Sequence, residues 1–214
     1  MILLKEAYEV LEYINKINFN GDFIIGYSTD FYGSVSFDKP ISEELKNYIN
    51  KFSNTRRMTR DVEKIKEVFP DWEENCFNGN LGINGEYFVG GNGFMGQEDD
   101  KSVINHNYPP RTQPGLWCQW IINNDGELEW DGGEKFYNYE EWLVYLIDNF
   151  FAPSGYVLNG EIEFQGEDTD DFGTICVKDN VVTVQYGIRI SSLADISDNG
   201  LIAEANRRGF NISI

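Results

Sequence analysis

The chain has 214 residues, 41% apolar and 25% charged, which is ordinary globular usage and excludes a disordered polypeptide. Its 36 acids against 17 bases leave a formal charge of −19, a field that repels nucleic acid and anionic membrane surfaces and attracts a basic partner. Three widely spaced cysteines, Cys76, Cys118 and Cys176, with no C-x-x-C pair, argue against a disulfide framework or a zinc site and for reduced thiols in the cytoplasm.

The first residues, Met1-Ile-Leu-Leu-Lys-Glu, lack the basic and apolar regions of a secretion signal. Leu3, Leu4, Ala7, Leu11 and Ile14 recur at helical spacing and predict a helix over residues 2–17. Residues 23–27 and 32–37 read as two strands around Ser28-Thr-Asp-Phe31, a hairpin pattern. Ser42 then caps a helix with Glu43 and Glu44 in its first turn and an apolar stripe of Leu45, Tyr48, Ile49 and Phe52.

Residues 51–66 form a basic island, and residues 70–114 are rich in Gly and Asn with little periodicity. One short strand is expected there, over residues 86–89. Residues 116–122 and 127–130 flank Asn124-Asp-Gly126, a strong hairpin signal. Asn138 with Glu141 three residues on has the spacing of a capping box, ahead of a stripe of Trp142, Leu143, Leu146, Ile147 and Phe150. Leu158, Ile162 and Phe164 alternate with Asn159, Glu161 and Glu163, a strand with one dry and one wet face. Residues 172–178 and 181–188 form a last hairpin across Asp179-Asn180, and residues 199–208 read as a short terminal helix. Strands joined by tight turns predict an α+β fold, a mostly antiparallel sheet with helices on one face, in a single domain over residues 1–214.

Over residues 95–190 eighteen acids stand against five bases, so −13 of the −19 falls there. Glu127, Glu129, Glu161 and Glu163 alternate along two strands, and Glu167, Asp168, Asp170 and Asp171 follow. Such an array is a candidate surface for a basic protein partner, with the wet face of a half-exposed sheet as the plainer reading. Clustered carboxylates also suit hard cations, but the calcium-loop pattern fails here: Phe172 holds a ligand position, Asp179 stands where Glu belongs, and a strand follows. Arg56, Arg57 and Arg60 form a possible anion site, or else dock against the chain's own acids. His106, the only histidine, has no local nucleophile or orienting carboxylate, and Ser102 and Cys118 are candidates by chemistry alone. Gly90-Gly-Asn-Gly93 lacks the Lys-Ser/Thr of a phosphate loop and reads as tight turns. No cofactor or metal is implied.

The strings Pro114-Gly-Leu-Trp-Cys-Gln-Trp120, Glu129-Trp-Asp-Gly-Gly-Glu-Lys-Phe-Tyr137, Glu141-Trp-Leu143 and Gly155-Tyr-Val-Leu-Asn-Gly160 resemble a family of small uncharacterised bacterial and phage-borne proteins. Arg56-Arg-Met58 and Tyr87-Phe-Val-Gly-Gly91 fit it too. The similarity covers residues 20–182 and implies an intracellular setting, with no activity attached. Three functions follow as expectations: an acidic binding protein without enzymatic activity that occupies a basic, nucleic-acid-handling surface, as a phage inhibitor of host defence would; a metal-dependent hydrolase using Glu161, Glu163, Asp168 and Asp170; or a small-ligand sponge that grips a nucleotide with Arg56, Arg57 and aromatic rings.

Overall fold

The computed structural model describes residues 26–187; the helices expected over 2–17 and 199–208 lie outside them. Six strands form one antiparallel sheet: β1 (Thr29–Phe37), β4 (Trp120–Ile122), β5 (Leu128–Trp130), β6 (Leu158–Gly166), β7 (Phe172–Lys178) and β8 (Val181–Tyr186). Their spatial order is β4-β5-β1-β6-β7-β8. A separate pair joins β2 (Thr59–Arg60) to β3 (Val103–Asn105). The expected α+β class, with helices on one face of an antiparallel sheet, is what the chain adopts.

Period-two alternation sets the register. Phe31 stands opposite Phe164, and Ile162 lies between Gly33 and Ile175, so apolar side chains line one face. Against that face lie α1 (Glu43–Ser53), through Leu45, Ile49 and Phe52, and α3 (Tyr139–Leu146), through Trp142, Leu143 and Leu146. Phe31 meets Trp120, Phe136 and Tyr139 edge-on, an arrangement that ring quadrupoles favour.

The turn expected at Ser28-Thr-Asp-Phe31 is not formed, and residues 23–25 of the strand expected before it lie outside the described residues. β1 runs unbroken through Thr29 and Asp30, and its outward Asp30, Tyr32, Ser34 and Ser36 are what imitated a turn. Nor is there a strand at residues 86–89. Phe88 packs into a small second core with Ile65, Cys76 and Leu81, whereas Val89 and Tyr87 pack on the main one, so the alternation serves two cores instead of a ladder. Two turns of one shape follow Gly82 and Gly93, with Asn84 and Met95 at φ 57° and 54° between Gly82 and Gly85 and between Gly93 and Gly96.

Ser42 caps α1 as expected, its hydroxyl accepting from the Leu45 N–H at 3.2 Å. Asn138 does not build a capping box. Its backbone is left-handed, and its side-chain amide donates to the Pro114 carbonyl at 2.6 Å, tying the helix start to an incoming loop. α3 then opens into a π-turn over Ile147–Phe151. Ile147, Phe150 and Phe151 are all buried across this turn, continuing the apolar stripe of α3 at i, i+3, i+4 spacing.

Candidate functional site: the acidic outer face of the sheet

The sheet's second face is polar because every strand that buries an apolar set turns the alternate set outward. Two rows cross it in register: Tyr32, Glu163, Thr174 and Gln185, and beside them Ser34, Glu161, Cys176 and Thr183. Glu161 and Glu163 are exposed. Glu127 reaches the same face from the β4–β5 hairpin and accepts from the Ser34 and Ser36 hydroxyls at 2.6 and 2.8 Å. Those two bonds hold its carboxyl below the usual range, because they favour the ionised form. Glu129 is held by the Asn123 amide at 2.8 Å. Lys178 is the one Lys or Arg within the six strands. The four glutamates are therefore an ordered negative band set by strand register.

Glu167, Asp168, Asp170 and Asp171 sit at the β6–β7 turn, at one end of that face. Two of them serve the fold. Glu167 accepts from the Ser28 backbone N–H at 2.7 Å, and Asp171 accepts from the Tyr27 hydroxyl at 2.6 Å. Gln165 closes the turn by donating to the Gly166, Asp168 and Asp171 carbonyls. Among the described residues no three His, Cys, Asp or Glu side chains converge as metal ligands.

The basic trio is split. Arg57 and Arg60 are buried, each 2% exposed, and do not present a surface for an anion. Arg57 stacks on Phe52 at 4.0 Å and donates to the Glu86 carbonyl at 2.6 Å and to Gln113 Oε1 at 3.4 Å. Arg60 pairs with Asp100 at 2.7 Å and donates to Ser102 Oγ at 2.6 Å. Both therefore act as internal ties. Arg56 is half-buried, donating to the His106 carbonyl at 3.3 Å beside the Trp117 ring. The sponge reading thus loses Arg57, and its aromatic rings lie largely in the core.

The two candidate nucleophiles are committed elsewhere. Ser102 is buried and donates to Asp100 at 2.6 Å. Cys118 is buried against Ser53, and desolvation pushes its thiol up to about 12, which makes a thiolate at neutral pH negligible. A feature that periodicity missed is a cleft of about 480 Å³ between α1 and residues 74–78, lined by Glu44, Tyr48, Lys51 and Phe77. The helix stripe carries one wall of it, Tyr48 among charged residues at helical spacing, but nothing in the sequence brings residues 74–78 opposite.

No helix among the described residues is long and apolar enough to cross a membrane. Comparison with known proteins returns no match to a family model, to a curated protein or to a solved structure.

Proposed function

We propose that this chain is a non-enzymatic binding protein whose acidic sheet face docks on a basic, nucleic-acid-handling surface of a protein partner. The observation that carries this reading is the band of Glu127, Glu129, Glu161 and Glu163, fixed by strand register on a face that no described helix covers. Charges carried on paired strands need little backbone ordering on binding, and they accelerate encounter with an opposite field. An inhibitor of host defence carried by phage is a biological setting that the resemblance permits.

The test is capture from host lysate at low salt, with elution in rising salt. The wild type should retain a basic nucleic-acid-binding protein that is released as salt screens the contacts. The Glu161→Lys/Glu163→Lys variant should lose it. Both side chains are exposed, so the variant should fold as the wild type does. Equal capture by the variant, or no basic partner from the wild type, would overturn the reading.

A further inference from the structure

Away from the acidic face, the cleft beside α1 has the build of a ligand site. Its volume of about 480 Å³ falls within the roughly 300–1,000 Å³ of small-molecule pockets. Its floor is aromatic: Tyr48 and Phe77 stand 5.2 Å apart, and both rest on Phe150, at 5.4 and 4.9 Å. The Tyr48 hydroxyl donates to the Tyr87 carbonyl, which locks that ring in place. Asn78 is held at φ 53° on the facing wall, in a conformation non-glycine residues seldom adopt.

One stripe of α1 supplies the other wall. Glu44, Asn47, Tyr48 and Lys51 follow one another at helical spacing, so they share a face. Seven residues of helix separate Glu44 from Lys51, about 10 Å along the axis. The stripe is dipolar, with a carboxylate at one end, an ammonium at the other and an aromatic ring between. Neither charge has an ion-pair partner among the described residues.

We infer that the cleft binds a guanine mononucleotide. A flat base stacks on one of the Tyr48 and Phe77 rings, which are tilted 43° to each other. The Glu44 carboxylate, an acceptor only, takes the adjacent N1–H and N2–H donors of guanine. Adenine and cytosine set a ring acceptor beside their amino group, and uracil sets carbonyls on both sides of its N–H, so each meets the carboxylate with repulsion. Lys51 meets the phosphate, and Asn47, Asn78 and Glu74 face the ribose hydroxyls. Lys51 is the one Lys or Arg among the residues lining the cleft, and the remote part of the chain's negative field is screened beyond about 8 Å at physiological salt. The site is independent of the acidic sheet face.

The experiment is amide chemical-shift titration of the full chain with GMP, guanosine, AMP, CMP and UMP. GMP should move the amides of α1 and residues 76–78, at lower concentration than the other three nucleotides. Lys51→Glu should weaken GMP by about tenfold or more, about 1.4 kcal/mol, and leave guanosine nearly unchanged. Glu44→Gln should weaken GMP and guanosine alike. An absence of shifts with GMP at millimolar concentration overturns the inference. So does equal binding of the four nucleotides, a wild-type result that needs no variant to fold.

Discussion

Burying a guanidinium among neutral acceptors carries a desolvation cost that a carboxylate would partly offset. At Arg57 the partners are a backbone carbonyl, an amide oxygen and the face of Phe52, and one terminal nitrogen has no acceptor. Desolvation accordingly lowers its pKa. An apolar side chain of similar length keeps the packing and removes the charge. Arg57→Met should therefore be milder than Arg57→Ala by about 2 kcal/mol in urea unfolding, because the alanine leaves a cavity as well as unpaired acceptors. Asp100 behaves oppositely. Burial raises its pKa, but hydrogen bonds from the Ser102 hydroxyl, Arg60 and the Ser102 N–H outweigh burial and hold it below the usual value. A depressed folded pKa means stability that is present above the unfolded value of about 3.9 and is lost as pH falls through the folded one. Asp100→Asn should lower stability at neutral pH and flatten the loss on acidification, read from urea midpoints between neutral and acid pH. The same residues show what local sequence could not supply. Arg56-Arg57-x-x-Arg60 has the composition of an oxyanion clamp, and only the distant Glu86, Asp100 and Gln113 turn two of its members inward.

Turns between strands carry their instructions locally, and the β7–β8 turn shows how finely. Asp179 and Asn180 both have positive φ, 50° and 68°, as a two-residue hairpin of matching twist requires. Their side chains differ in duty. Asn180 accepts from the Leu158 N–H at 2.7 Å and donates to the Tyr156 carbonyl at 2.9 Å, while Asp179 contributes its backbone N–H to Asn159. Asp179→Gly should stabilise by a few tenths to about 1 kcal/mol by relieving the left-handed conformation, whereas Asn180→Gly should cost about 1–2 kcal/mol through two lost bonds. Thermal melts of the pair would show opposite signs. The β4–β5 and β7–β8 hairpins, α1 and β6 were legible because cap, turn and alternation all agreed within a few residues. The π-turn after α3 was not, since Ile147, Phe150 and Phe151 keep the i, i+3, i+4 spacing of an ordinary α-helix and nothing in that pattern marks a wider turn. β1 was misread for a related reason. A strand whose outward side is Asp, Tyr and Ser looks like a turn until β6 is beside it.

Across the molecule the charge imbalance meets few compensating contacts. Three ion pairs hold the described residues together, and two of them are exposed pairs one helical turn apart on α2 (Val62–Val68). Salt therefore has little attraction to weaken and much repulsion to screen. Raising NaCl from about 10 mM to about 0.5 M, where the Debye length falls to a few ångströms, should raise the melting temperature by several degrees. A fall would mean that attraction outweighs repulsion in the folded chain. The ordered glutamate band was legible in the alternation along two strands. The cleft was not, because its walls, α1 and the turn at residues 76–78, meet only in the folded chain.

The pairing of β1 has a consequence for how the protein is made. β1 touches β5 through one register pair, Val35 with Leu128, but aligns with β6 over its full nine residues. Those two strands lie about 120 residues apart in the chain. A ribosome working at roughly 5–20 residues per second releases β1 many seconds before its main neighbour exists. During that interval Phe31 and Val35 have no sheet to enter, and the nascent chain depends on chaperone cover or on its own charge repulsion to stay apart from its copies. Synthesis halted anywhere before residue 158 leaves the middle of the sheet without its principal seam.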